Sequence, residues 1–326
     1  MAALTTPRFV RDIGRFGVLI ALVALIVFGW LRYENFLGAF NVLSVLRYNS
    51  MFALVALGMC FVIITGGIDL SVGSTAALGS VVAALLSPYG LLPGLLGGLA
   101  AGLAVGIVNA IVITRLNIMP FIATLATMLA ASGCALLLAG NQSVSVSYET
   151  GFIELGQGDL LGFPVPAWIA LGAYLAGSVI LNLTGFGRTV LAVGGNEEAT
   201  RLMGLPANRV KAAVYVASGA LAGLAGVILA AQFGAGQPIE GVGWELFAIA
   251  AVVVGGTLLT GGVGSVGATL AGVLLLGLIF NILNFENGLG WISLSAYWQS
   301  VIRGAFLLLV VAIQARLVAR SDDAHA

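Results

Sequence analysis

An acidic residue interrupts an otherwise apolar stretch in the first quarter of the chain. Residues 65–74 read Thr-Gly-Gly-Ile-Asp-Leu-Ser-Val-Gly-Ser and separate two apolar runs. Paired glycines and an acid at this point predict a helix that breaks at or near membrane depth. Broken backbone in a bilayer must be satisfied by protein groups or by water in a cavity, so such breaks tend to line a transport path. We therefore assign Gly66, Gly67, Asp69 and Ser71 to a candidate path or gate.

Asp69 could instead have a structural role. A carboxylate just before a helix can accept backbone N–H bonds from the first turn, which here means Ser71 or Val72. The sequence leaves open whether Asp69 caps this helix or acts directly on a substrate or gate.

A second glycine-rich interruption with a similar sequence occurs late in the chain. Residues 260–267 read Thr-Gly-Gly-Val-Gly-Ser-Val-Gly, without the aspartate. We predict a second broken helix over 261–267 and add Gly261 and Gly262 to the candidate path. Corresponding glycine-interrupted segments in two halves of a membrane protein point to a central pathway. In a glycine-rich chain, however, two such segments can also resemble each other by chance.

A polar segment at 184–212 carries a complete set of helix-capping signals. Asn196 is a good N-cap, acidic residues follow in the first turn, Gly204 suits the C′ position and a proline two residues later blocks continuation. The pattern predicts a two-turn helix about 10 Å long. Because so short a helix is marginal in water, we expect a partner surface to hold it, with Leu202 and Met203 as an apolar docking knob. A solvated loop helix is the alternative.

The composition excludes a soluble protein. Hydrophobic residues make up 60% and charged residues 8% of the 326-residue chain, against roughly 45–50% and about 25% in soluble domains. The formal net charge is +0, so no basic field favours nucleic acid. The one histidine, His325, lies in the tail, and no glycine-rich phosphate loop precedes the one lysine, Lys211. We expect neither catalysis nor a metal site in this chain.

The apolar runs predict an all-α, polytopic transmembrane bundle of about ten spans, forming a single domain over residues 1–326. The first run follows three arginines and is not followed by a cleavage site, so we expect a retained span rather than a signal peptide. The runs lie at 16–31, 51–65, 70–87, 91–114, 119–140, 167–183, 213–232, 246–260, 264–283 and 298–316.

The basic residues predict the orientation. Alternating sides from a cytoplasmic N-terminus places most of them in the cytoplasm, as the positive-inside rule requires. The segment 184–212 and the tail at 317–326 are then cytoplasmic, and the acidic loop at 141–166 is periplasmic. Arg32 and Arg47 do not follow the rule.

Four glycines recur at every fourth residue in one predicted span. Gly94, Gly98, Gly102 and Gly106 would form a smooth ridge along one helix face. Ridges of small residues let helix backbones approach closely, so we expect these glycines to hold the bundle together rather than touch a substrate.

Four parts of the chain together carry a resemblance to a known family: 66–74, Asn109 with 120–128, 195–199 with Gly204, and 255–267. They resemble the permease subunits of bacterial ATP-binding-cassette sugar importers of the ribose, xylose and galactose type. The part from 255 to 316 looks most similar to the permease halves of galactofuranose importers, in which two different permeases pair.

The resemblance implies that this chain works with three other proteins. A separate cytoplasmic ATPase would hold ATP and Mg²⁺, a second permease, identical or homologous, would complete the path, and a periplasmic binding protein would deliver the monosaccharide at the bacterial inner membrane. It adds Asn109, Phe121 and Thr124 to the path. The short helix becomes a coupling helix that seats on the ATPase, with the residues Gly195, Asn196, Glu197, Glu198, Ala199, Arg201 and Gly204.

Two other transport classes remain as alternatives. An ion-coupled secondary sugar transporter would need carboxylates within the membrane, and Asp69 is the one acid well inside an apolar region. A passive channel would need a charged or carbonyl-lined filter, and nothing in the sequence resembles one.

Overall fold

The computed structural model describes residues 8–288, together with residues 298, 301, 302, 304, 305 and 308. Within 8–288 the chain is mainly α-helical, as predicted. The helices are α1 Arg8–Arg32, α2 Ala39–Ile64, α3 Val72–Leu86, α4 Leu91–Thr114, α5 Pro120–Ala139, α6 Glu154–Gln157, α7 Val165–Leu183, α8 Gly185–Gly195, α9 Glu197–Leu202, α10 Ala207–Phe233, α11 Trp244–Val254 and α12 Val266–Gly288.

Two short antiparallel ribbons accompany the helices. Strand β1, Val144–Ser145, pairs with β4, Ala235–Gly236, and so joins the segment after α5 to the end of α10. Strand β2, Asp159–Leu160, pairs with β3, Phe163–Pro164, just before α7.

Helix α2 lies at the centre of the bundle, in contact with α7, α10, α11 and α12. It begins at Ala39, well before the apolar run at 51–65 that sequence reasoning assigned to this span. The early half contains polar residues that still fit a helix. Asn49 donates to the carbonyl of Val45 (2.8 Å), and the hydroxyl of Ser50 likewise bonds a carbonyl one turn earlier.

Three glycines of the predicted α4 ridge, Gly98, Gly102 and Gly106, pack against α10, while Gly94 packs against Phe152, so the structural role of the ridge is confirmed. A Cβ at Gly102 would lie 2.6 Å from the Cα of Gly223, and a Cβ at Gly106 would lie 3.0 Å from the Cα of Val216. Because such approaches are shorter than real Cβ contacts, only glycine lets these two helix backbones touch. Gly79 of α3 reaches the same part of α10.

The count of ten spans is not confirmed. In the described part of the chain, seven helices are long and apolar enough to cross a membrane. The apolar segment Gly17–Arg32 and helix α11 are shorter, and the predicted span at 298–316 lies almost entirely outside the described residues. Helix α11 has 11 residues, or about 16 Å, against the roughly 30 Å of a hydrocarbon core.

Both predicted breaks are present. Helix α2 ends at Ile64 and α3 begins at Val72, while α11 ends at Val254 and α12 begins at Val266. The second break is therefore longer than the segment 261–267 that the sequence indicated.

The two arginines that do not follow the positive-inside rule each have an acidic partner. Arg47 pairs with Asp159 (2.6 Å), and Arg32 lies 3.7 Å from a carboxylate oxygen of Glu286. Their charges are thus balanced within the chain.

Candidate functional site

The short helix α9 is built as its capping signals predict. The side-chain oxygen of Asn196 accepts the N–H of Ala199 (2.8 Å). At the other end, the N–H of Gly204 bonds the carbonyl of Arg201 (2.9 Å) and the N–H of Leu205 bonds that of Thr200 (3.2 Å). These two bonds form a Schellman motif, which requires a left-handed residue at C′, and Gly204 has φ +78°. The N-cap and C-cap predictions are confirmed.

Helix α9 is held by its own chain, which sequence reasoning did not anticipate. Lys211 of α10 donates to both carboxylate oxygens of Glu197 (3.0 Å each), and Arg201 donates to the same carboxylate (2.6 Å). Partial burial alone would raise the pKa of Glu197, but the Lys211 hydrogen bond and charge, with Arg201, lower the pKa below its ordinary value. The carboxylate therefore stays ionised and keeps α9 attached to α10.

The outer face of α9 exposes apolar side chains. Leu202 is 83% and Met203 67% exposed, and Glu198 is exposed beside them, whereas Thr200 is buried against the bundle. A two-turn helix with one anchored face and one apolar face has the form of a docking knob.

The residues just before α9 contact both breaks at one place, which we call the glycine junction and define as Ile64, Gly66, Gly194, Gly195, Gly261 and Gly262. The N–H of Gly262 donates to the carbonyl of Ile64, the last residue of α2 (2.9 Å).

Close backbone contacts join the three segments of the glycine junction at Gly194, Gly261 and Gly262. A Cβ at Gly194 would overlap both the Ile64 carbonyl and the Gly262 nitrogen. A Cβ at Gly261 would lie 2.9 Å from the nitrogen of Gly66. A Cβ at Gly262 would lie 2.9 Å from the Cα of Gly195. Residues that the sequence assigned separately to coupling and to the path thus lie against one another.

The far side of the first break is fixed by a buried polar group of side chains, the Asp69 cluster, which comprises Asp69, Ser71, Asn109, Thr127 and Ser218. One carboxylate oxygen of Asp69 accepts the N–H (3.0 Å) and the hydroxyl (2.6 Å) of Ser71. The other accepts the hydroxyl of Ser218 from α10 (2.9 Å). The predicted bond from the N–H of Ser71 is present, but α3 begins at Val72 with Ser71 as its N-cap, so Asp69 bonds the residue before the helix rather than capping its first turn.

The Asp69 cluster extends to α4 and α5. Asn109 of α4 donates to the hydroxyl of Ser71 (2.9 Å) and accepts from the hydroxyl of Thr127 in α5 (2.6 Å). The hydroxyl of Thr124 accepts the N–H of Leu70 within the break (3.1 Å). Four of the predicted path residues, Asp69, Ser71, Asn109 and Thr124, therefore meet in one network.

The remaining predicted path residues lie elsewhere. Gly67 packs against Tyr215, which leaves no room for a Cβ, while Gly66, Gly261 and Gly262 belong to the glycine junction. Phe121 is 53% exposed on the outside of the described bundle, although its backbone carbonyl lies 3.4 Å from the hydroxyl of Thr124.

Sequence reasoning missed Ser218, Thr127 and Tyr215. Serine and threonine in an apolar helix usually bond their own helix, so the sequence carries no signal that these reach a distant carboxylate or amide. Among the described residues, no group of three or more His, Cys, Asp or Glu side chains could hold a metal ion.

Known proteins resemble this sequence over most of its length. The chain matches the family described as branched-chain amino acid transport system, permease component, over residues 41–311. It is 41% identical to the ribose import permease protein of Bacillus subtilis over 91% of both chains. It is 40% identical to that of Escherichia coli (90% of this chain, 92% of the relative) and 38% identical to the L-arabinose transport system permease protein of Escherichia coli (93% and 91%). No solved structure gives a significant match.

The clamp on α9 can be tested by Lys211→Met, which removes the cation that faces Glu197. We expect backbone amides at 197–205 to exchange with deuterium about two- to fivefold faster, the effect of losing one partly exposed ion pair. Since the pKa of Glu197 is lowered, the clamp is present above the ordinary glutamate pKa and is lost only as pH falls through the lowered value. Arg209→Met, an exposed basic residue two positions earlier, is the matched control, and equal exchange in both variants would contradict the clamp.

The role of Asp69 can be tested by comparing Asp69→Leu with Asp69→Asn. Leucine leaves the N–H and hydroxyl of Ser71 and the hydroxyl of Ser218 without an acceptor, at about 1–3 kcal/mol for each buried group. Asparagine keeps one acceptor and the size of the side chain. We expect thermal unfolding in detergent to begin at a clearly lower temperature for leucine than for asparagine, with the exposed control Glu149→Leu unchanged. Equal unfolding temperatures for all three variants would show that the Asp69 cluster does not stabilise the fold.

Proposed function

Since this chain belongs to the family of branched-chain amino acid transport system permease components, whose similar members are permease subunits rather than enzymes, we propose that it is the transmembrane subunit of an ATP-binding-cassette importer for a monosaccharide. The relatives named above carry ribose and L-arabinose in their names. We therefore propose a pentose as the first substrate to test. The galactofuranose assignment rests on the segment 255–316 alone and is the second.

The observation that carries the coupling role is the position of α9. The helix is anchored at Glu197, exposes Leu202 and Met203, and starts directly after the glycine junction. A separate ATPase that binds this knob would push on the ends of both breaks at once. We assign Gly195, Asn196, Glu197, Glu198, Ala199, Arg201 and Gly204 to this coupling surface, with ATP and Mg²⁺ held by the ATPase.

The proposed path runs along the breaks. Gly66, Gly67, Asp69, Ser71, Asn109, Thr124, Gly261 and Gly262 are its candidate residues in this chain. Phe121, exposed on the described bundle, would reach the path only at a contact with a second permease, identical or homologous.

The positive-inside pattern supports an orientation in the bacterial inner membrane. The α9 end would face the cytoplasm with both termini, and the segment 141–166 would face the periplasm. A periplasmic sugar-binding protein would dock on that outer side.

The ion-coupled alternative has less support. Such a transporter needs a carboxylate that is free to bind and release a cation, and Asp69 already accepts three hydrogen bonds. Its oxygens are engaged in supporting the break.

Uptake of radiolabelled D-ribose and L-arabinose into proteoliposomes tests the proposal directly. The chain is reconstituted with its copurifying ATPase and a periplasmic binding protein, with ATP inside or absent. We expect ATP-dependent uptake. We expect Gly204→Val to retain ATP hydrolysis but lose most uptake, because a β-branched residue is strained at φ +78° and α9 then loses its C-terminal cap.

Gly133→Val in α5 is the control, since a Cβ at Gly133 meets no atom within 4 Å. Sugar accumulation by the chain alone on an ion gradient, or normal coupled uptake by Gly204→Val, would contradict the assignment.

A further inference from the structure

A cavity of about 700 Å³ lies at the end of the bundle remote from α9. It is lined by the first half of α2, by Phe247 of α11, by the second half of α12 and by Gln232 near the end of α10. Its volume falls within the roughly 300–1,000 Å³ typical of small-molecule sites. It is separate from the glycine junction and the Asp69 cluster, so nothing described above accounts for it.

The walls combine aromatic rings with side-chain amides. The ring centroids of Phe52 and Phe247 lie 4.5 Å apart, and those of Phe247 and Phe280 lie 6.0 Å apart, which gives a continuous aromatic surface. Asn49 and Gln232 are among the amides on the other walls. Ring faces carry partial negative charge and suit the C–H face of a sugar, while amides both donate to and accept from hydroxyl groups.

Two lining residues hold buried polar atoms that have no hydrogen-bond partner. These atoms are Nε of Arg47, a donor, and Oε1 of Gln232, an acceptor. Buried polar atoms are nearly always bonded, so these two side chains leave one donor and one acceptor unused, and a small side-chain rotation would present each to a cavity group that accepts and donates. A hydroxyl group does both.

The charge of the cavity favours a neutral solute. Arg47 is the one charged side chain among the described lining residues, and the carboxylate of Asp159 already neutralises it at 2.6 Å. A free amino acid carries a carboxylate and an ammonium group, and the described lining residues provide no unpaired charge for either.

We infer that this cavity is a binding subsite for a neutral monosaccharide, with Arg47 and Gln232 bonding its hydroxyl groups and the phenylalanine rings facing its apolar side. The inference rests on the proposed function, because a sugar must reach this chain for the subsite to be used. On the proposed orientation the cavity opens toward the periplasm, where a sugar would arrive before it reaches the breaks.

Equilibrium binding tests the inference with the full chain in lipid nanodiscs and radiolabelled D-ribose or L-arabinose as the probe. We expect saturable binding that Gln232→Leu weakens about two- to tenfold, the effect of one lost hydrogen bond. Gln142→Leu makes the same change at an exposed loop residue and should leave affinity unchanged.

A second pair of variants fills the cavity rather than removing a bond. Ser44→Trp places a large ring in the cavity and should abolish binding, whereas Val42→Trp, also exposed on α2 but not lining the cavity, should not. Displacement of the bound sugar by L-leucine would overturn the assignment to a neutral sugar.

Transport separates the two proposals. If the complete transporter imports ribose or arabinose while the chain alone binds neither, or while Gln232→Leu and Ser44→Trp bind normally, the subsite is wrong and the proposed function stands. If the complete transporter imports no sugar, the proposed function fails and the subsite fails with it.

Discussion

The hydrogen bond from the Gly262 nitrogen to the Ile64 carbonyl is the contact on which the rest of the structure depends. A helix that ends inside an apolar bundle leaves carbonyls without partners, and such groups cost several kcal/mol when they are buried away from water. The second break supplies the donor for the end of α2. Gly194 packs against the same two groups, so the segment leading into α9 closes the contact. Since a Cβ at Gly194 or Gly261 would overlap the neighbouring backbone, the proposed coupling would carry a displacement of α9 directly to both breaks.

The Asp69 cluster anchors the α3 side of the first break. Asp69 connects α3 to Ser218 of α10, and Asn109 and Thr127 extend the connection to α4 and α5. Helices α3, α4 and α10 are in turn pressed together through glycine contacts. These helices therefore form one anchored body, relative to which the proposed coupling would displace the second break. This arrangement accounts for an acid in the break whose oxygens are engaged in supporting the fold.

Local features could be predicted from the sequence, and long-range ones could not. The caps of α9, the two breaks and the glycine ridge depend on residues close together in the chain, and all were recovered. The early start of α2 was missed because Asn49 and Ser50 lower the local hydropathy, although each bonds its own helix. The clamp from Lys211, the bond from Ser218 and the glycine junction join residues far apart in sequence, and no spacing rule signals them. The exposed position of Phe121 could not be predicted either, because a matching motif does not fix which way a side chain points.

Spin-label distances test the central claim that α9 and the second break move together. Labels at Met203→Cys, just after α9, and Gly267→Cys, in the first turn of α12 directly after the second break, report on the two sides of the junction, while Val108→Cys of α4 marks the anchored body. All three positions are exposed, and Cys134, which is also exposed, is replaced by serine. When nucleotide binds the assembled ATPase, we predict an unchanged 203–267 distance and a 267–108 distance that shifts by about 2 Å or more. A changed 203–267 distance with a constant 267–108 distance would contradict the account.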